Sequence, residues 1–253
     1  MMNYGLQLYS VRDLAKENYE EALKQVAAMG YKMVEPAGFF GLPASEVAAM
    51  LKHYGLTACS THTGFQLMVD DFAGQVAYHK AIGCHDLILP SAPFKTAEDI
   101  TATVDAINRW QPALEAEGIR LHYHNHSKEF WKNQDGLIAQ EELADRTNIL
   151  FELDTFWVFN AGLNPLDVME QYRNRLHFIH LKDGIPQTLS DSESKPVGKS
   201  LGSGKAPIEA VRKKAIEKGV KIVVESEGLD PTGIEEVKRC IDHLKILDAK
   251  DRN

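Results

Sequence analysis

Asp154, His180 and Glu225 each sit at the end of a short apolar run, in ILFELD, LHFIHL and KIVVES. Carboxylate oxygens and an imidazole nitrogen form a hard-to-borderline donor set, suited to Mn, Co, Zn or Mg. Brought together, two carboxylates repel each other unless a cation lies between them. The chemistry expected of such a set is metal-assisted. A fourth donor is expected from the run RLHYHNH at 120–126: either His124, or Glu129 reaching back from just beyond it. The spacing leaves both open. His126 has the same strand parity as His124 and should face the same space. Other chemistry-bearing residues also stand at the ends of apolar runs: Glu35, His62, and the pair Lys182 and Asp183, with Glu227 two residues after Glu225. Taken singly, each has a plainer role as a capped polar end or an ion-pair partner. His122 and His177 lie deeper or at a strand start and read as structural. His53, His79, His85 and His243 lie on or beside helical stretches and read as solvated.

These residues meet only if their elements form a closed arrangement. Periodicity places strands at 4–9, 32–36, 57–62, 86–90, 120–126, 149–154, 176–181 and 221–226. Amphipathic helical stretches fall at about 17–29, 44–54, 71–82, 97–117, 135–145, 165–174, 207–218 and 231–247. Gly30, Gly55, Gly83, Gly118 and Gly219 punctuate helix ends, where the left-handed conformation favours glycine. Eight strand–helix cycles in 253 residues, with no GxGxxG after the first strand, predict one (β/α)8 TIM-barrel domain over 1–253. In such a barrel the ends of the strands converge at one mouth. A long loop at about 184–206 follows the seventh strand. It is either a lid or an insertion without a role. Its GKSLGSGK lacks the first glycine of a phosphate loop, because Glu193 stands there.

Composition narrows the classes. Charged residues make up 25% and hydrophobic ones 44%, as in an ordinary globular enzyme. The formal net charge of −8 argues against general phosphate-backbone binding, so no nucleic-acid partner is expected. No apolar run approaches the roughly 20 residues that span a bilayer, so no membrane partner is expected. The start of the chain lacks the pattern of a secretory signal. Three widely spaced cysteines suggest neither a zinc knuckle nor a disulfide scaffold. Cys59 and Cys84 read as core residues, and a cytoplasmic location is expected.

The chain resembles the xylose isomerase-like TIM barrels, in the sugar phosphate isomerase/epimerase group with inosose dehydratases and tagatose-type epimerases. The resemblance is carried by LQLYSVRD at 6–13, YHNHSKEF at 123–130, FELDTFWV at 151–158, FIHLKDG at 178–184 and Glu225 within VVESEG. It implies Asp154, His180 and Glu225 as metal ligands, with Glu129 as the carboxylate compensating for His124. In the epimerases a glutamate stands where this chain has His124. That departure speaks against a simple two-glutamate epimerisation.

The resemblance further implies an isomerase or epimerase that abstracts a proton beside a metal-polarised carbonyl of a sugar, keto-sugar or cyclitol. Lyase (dehydratase) or keto-glycoside hydrolase chemistry on the same scaffold is the alternative. A non-catalytic sugar-binding barrel and an AP-endonuclease-like nuclease stand further off. Glu225, His124 and His126 are the candidate bases, and Lys182 the group that stabilises a developing enediolate. Gln7, Glu35, His62 and Trp157 are expected to contact substrate. Dimers or tetramers are the family expectation.

Overall fold

A computed structural model of the chain describes residues 2–191 and 193–252; position 192, within the expected loop, lies outside them. Short, β-rich apolar runs alternate with amphipathic helices, as they must when a parallel sheet is covered on its outer face. The strands are Gly5–Gln7, Met33–Glu35, Thr57–Ala58 with Thr61–His62, Asp86–Leu89, Arg120–His124, Leu150–Asp154, Leu176–Leu181 and Lys221–Val224. All their ladders are parallel. The first strand pairs with the second and also with the eighth, Gly5 opposite both Met33 and Val223. The ring is therefore closed apart from one seam in the third strand. There Thr57–Ala58 pair with the second strand and Thr61–His62 with the fourth, so the expected run 57–62 is two segments. Cys59 N still donates to Val34 O at 3.0 Å and Thr63 N to Ile88 O at 2.9 Å, which carries the backbone across the seam.

The helices form where the amphipathic pattern and caps coincide. Ala44–Tyr54 matches its expected range and ends at Gly55, whose φ of 65° few other residues tolerate. Ala97–Ala116 starts on a capping box between Thr96 and Asp99. Three expectations needed revision. The stretches at 17–29 and 71–82 are each preceded by an extra short helix, Arg12–Glu17 and Phe65–Asp70. Another, Thr155–Asn160, follows the sixth strand directly, because Asp154 caps it through Oδ1 to Trp157 N at 2.8 Å.

The expected loop at 184–206 is partly an antiparallel ribbon of Asp183–Ile185 with Val197–Lys199. Its base is tied to Asp183. One carboxylate oxygen accepts from Gly202 N and Gly204 N, the other from Gly184 N and Ala206 N, all at 2.8–3.0 Å.

Inside the ring, side chains stack in layers. Cys59, Phe178 and Val223, with Met33 against them, form an apolar layer below the mouth. A Cβ on Gly5 would meet Val223 Cγ2 at 3.2 Å and Cys59 Sγ at 3.3 Å, so the first strand needs glycine to close the ring at this level. Towards the opposite end Asp86 accepts from His122 Nε2 at 2.8 Å and from Arg120 at 2.7 Å. The structural reading of His122 fits this place. His177 is near this group too. Arg120 and Lys221 already balance the Asp86 carboxylate, at 2.7 and 3.7 Å, so a cation has little to gain there. Cys59 and Cys84 are buried, as expected. His79 is a correction: it is fully buried, its ring bonding Thr61 Oγ1 and, at 2.6 Å, the Gln75 carbonyl. Among the described residues no helix is long and apolar enough to cross a membrane.

Candidate metal centre and active site

Strand parity puts His124, Asp154 and His180 on the inner wall, and Glu225 follows the last residue of the eighth strand. Asp154 is opposite His180 in the parallel register, and Glu225 N bonds Leu181 O, so the three ligand-bearing strand ends are level. His124 Nε2 stands 3.1 Å from His180 Nδ1 and 3.7 Å from Asp154 Oδ2; His180 Nδ1 is 3.2 Å from Glu225 Oε2 and 3.9 Å from Asp154 Oδ2. One ligand atom from each of the four lies within 4.8 Å of every other. All four side chains are buried. Asp154 Oδ2 has no hydrogen-bond partner among the described residues, because Oδ1 alone is used in capping. A buried carboxylate oxygen without a donor is costly. This orphaned atom, facing two imidazole nitrogens, fits a cation of the first transition series.

The electrostatics agree. Burial pushes the Asp154 carboxyl up to about 7, and the Glu225 charge adds to this against the pull of Lys182 and His180. Burial, reinforced by the neighbouring His180 and His62, holds His124 well below the usual imidazole range, so its ring is neutral and free to donate a lone pair. Burial would lower the His180 pKa, but Glu152, Glu35 and Glu225 around it raise it well above. Burial would likewise raise Glu225, yet Lys182 and His180 hold it ionised. Carboxylates thus outnumber the fixed cation, Lys182, and protonated histidine or a metal must make up the difference.

Lys182 is fully buried, its ammonium 2.6 Å from Glu227 Oε1, 3.2 Å from Glu225 Oε2 and 3.7 Å from Asp154 Oδ2. It lies 4.6 Å from the Trp157 ring centroid. Trp157 therefore backs the lysine, and His126 beside it, rather than standing in the cavity wall. The cavity above the donor set holds about 460 Å³ and is lined by His62, His124, His126, Glu225 and Glu227, with Tyr9 and Leu67 at the rim. Burial and the charges of Lys182 and Lys128 depress His126 to about 4, so a neutral ring faces this space.

Besides Trp157, two more groups expected at the substrate are elsewhere. Gln7 and Glu35 are fully buried beneath the cavity, Gln7 Nε2 donating to Glu35 Oε1 at 2.7 Å and Ser60 Oγ donating to Glu35 Oε2. The expectation that Glu129 completes the donor set is corrected. Its carboxylate accepts from Tyr123 Oη and from His126 N, each at 2.9 Å. Tyr123 has the opposite parity to His124, so it draws Glu129 away from the mouth. Glu129 instead anchors the turn that carries His126. Glu152 was missed from the sequence: it is fully buried, two residues before Asp154 on the same face. That i, i+2 spacing was its signal. Asn125 was missed as well; its side chain bonds both the N–H and the carbonyl of Asp154, at 3.0 and 3.2 Å.

The comparisons with known proteins fit this picture. Residues 23–247 match the family model of the xylose isomerase-like TIM barrel. An inosose dehydratase of Geobacillus kaustophilus (strain HTA426) is 23% identical over 189 residues, 65% of this chain and 61% of that protein. The match thus spans less than two thirds of the relative's length. Among solved structures, a sugar phosphate isomerase/epimerase from Parabacteroides distasonis superposes with TM-score 0.81 at 24% identity, covering 96% of this chain and 98% of that one. The IOLI protein with a bound zinc atom superposes with TM-score 0.75 at 15% identity, covering 98% and 99%. With its closed ring and a family match over most of its length, the chain belongs to the xylose isomerase-like TIM barrels.

Proposed function

We propose that the protein is a divalent-cation-dependent enzyme acting on a small sugar, keto-sugar or cyclitol by proton abstraction next to a carbonyl. The observation that carries this is the convergence of His124, Asp154, His180 and Glu225 with the Asp154 Oδ2 atom unpartnered. These four residues would hold the cation. When bound, it supplies Lewis-acid polarisation of a substrate carbonyl or hydroxyl oxygen.

The remaining work falls to the chain's own groups. Glu225, ionised and lining the cavity, accepts the proton from the carbon beside the carbonyl. The Lys182 ammonium, 3.2 Å from Glu225, stabilises the enediolate oxygen. His126, neutral and facing the same space, carries the proton to or from a neighbouring oxygen. Return of the proton to carbon gives isomerisation or epimerisation. Expulsion of a β-hydroxyl gives dehydration. Two unlike acid–base groups, with an imidazole in place of the strand-five carboxylate, suit transfer between carbon and oxygen better than symmetric epimerisation. The dehydratase names of the relatives support the elimination branch.

The test is incubation of the zinc- or manganese-loaded protein in D2O with keto-sugars and inososes. Deuterium uptake at carbon marks the common proton-abstraction step, and loss of water marks the lyase branch. A protein that binds the cation yet gives neither exchange nor elimination across the series would sink the catalytic reading.

A further inference from the structure

Below the donor set the barrel holds a second polar layer to which no role has been assigned. Two ring nitrogens and two carboxylate oxygens alternate around it. His180 Nε2 lies 2.7 Å from Glu35 Oε1 and 3.2 Å from Glu152 Oε2. His62 Nε2 lies 3.2 Å from the same Glu35 oxygen and 2.8 Å from the same Glu152 oxygen. Glu35, Glu152 and His180 are fully buried. The His62 and His180 rings stack 18° from parallel, centroids 5.3 Å apart. Gln7 donates to the same Glu35 oxygen that faces His180 and Ser60 to the other, and together they fix that carboxylate in turn.

We propose that Glu35 and Glu152 are positioning residues that fix the tautomer of His180. They hold its proton on Nε2 and so present a bare Nδ1 to the cation. An ionised carboxylate only accepts, so a ring nitrogen facing two such oxygens carries the hydrogen between them. The other nitrogen, Nδ1, faces His124, Glu225 and Asp154, the atoms of the proposed cation site. A neutral imidazole has one N–H, and the carboxylates determine which nitrogen keeps it. Partners of this kind also orient the ring and raise its basicity. The same geometry argues against a second cation in the lower layer: it would need the Nε2 lone pair that the proton occupies. Three strands remote in sequence converge on this proton, the second through Glu35, the sixth through Glu152 and the seventh through His180.

This inference rests on the cation reading above, and the experiment separates the two. Zinc binding is titrated calorimetrically for the wild type, Glu35→Gln and Glu152→Gln, and nitrogen-15 shifts of the His180 ring are recorded with and without zinc. The expected result is one zinc per chain in the wild type, about 10–100-fold weaker binding in each variant, and a proton on Nε2 of His180 in the zinc-loaded wild type. Two zinc ions per chain, a proton on Nδ1, or affinity unchanged within twofold in a folded variant would overturn the proposal. Should one variant fail to fold, the other and the wild-type nitrogen shifts still decide. Absence of zinc binding by the wild type would overturn the cation reading and, with it, the claim that Nδ1 serves a cation.

Discussion

At the scale of single residues the site is a contest for two carboxylates. Lys182 and the proposed cation both answer to Asp154 and Glu225, so their roles can be separated. Asp154→Asn removes the orphaned charged oxygen and is expected to weaken zinc binding by at least about 100-fold, beyond the usual outer-shell loss, with the far-ultraviolet circular dichroism unchanged. Lys182→Met should act the other way on the metal. With a competing ammonium gone, zinc affinity is kept or raised, while turnover falls about 10²–10³-fold. Calorimetry alongside steady-state kinetics on whichever substrate exchanges deuterium distinguishes these outcomes. Glu129→Gln provides the control: zinc stoichiometry stays the same and stability drops by roughly 1–3 kcal/mol as Tyr123 Oη and His126 N lose their charged acceptor.

The residues also show what a sequence can reveal. Asp154, His180 and Glu225 were legible because each ends an apolar run, and in a barrel that alone fixes the level of a side chain. The role of Glu129 was not legible. Its direction depends on Tyr123, a partner on the opposite face of its own strand, which residue type and order do not disclose. Glu35 lay at the right strand end but too deep, because one register step separates a cavity wall from the layer beneath it.

Among the elements, the glycine-ended helices and the alternating pattern were readable in advance, whereas the short helices after the first, third and sixth strands were not. The last is set by a local cap, Asp154 on Thr155–Asn160, where the capping oxygen and the free oxygen belong to one carboxylate, whereas Arg12–Glu17 and Phe65–Asp70 start without a side-chain cap. The ribbon after the seventh strand leaves no trace in the sequence pattern because its pairing residues, Val197–Lys199 with Asp183–Ile185, are too few to show a period. Asp183 holds that element with four backbone N–H bonds, a charge-assisted set. Asp183→Ala should therefore loosen 184–206 while leaving the barrel ladders in place. Hydrogen exchange is the measurement: faster exchange at Gly202, Gly204 and Ala206, with the strands protected as before. Uniform loss of protection across the barrel would contradict it.

For the whole molecule, the end of the barrel opposite the mouth contributes to the response to acid. Burial opposes ionisation of Asp86, yet the hydrogen bonds from His122 and Arg120 outweigh it and hold the carboxyl at about 2. Its folded-state value is thus below the ordinary carboxylate value. The stabilisation is fully present above about pH 4 and is lost as the pH falls towards 2. The shift corresponds to something on the order of 2 kcal/mol. Asp86→Asn is expected to flatten the decline of stability between pH 4 and pH 2 in urea melts. An unaltered acid limb would remove Asp86 as its source.

The seam-and-closure arrangement also governs when the proposed cation site can form. Gly5 must reach Val223 before the circle exists, and the donor atoms come from positions as far apart as 124 and 225. Contacts so remote in sequence form late, since the chain's entropy must be surrendered before they reward it. A half-assembled intermediate would carry the histidines and carboxylates but no common place for an ion. Capture of zinc during refolding, followed with a coloured chelator, should then track the slowest phase, so that the ion reports the moment the last strands join.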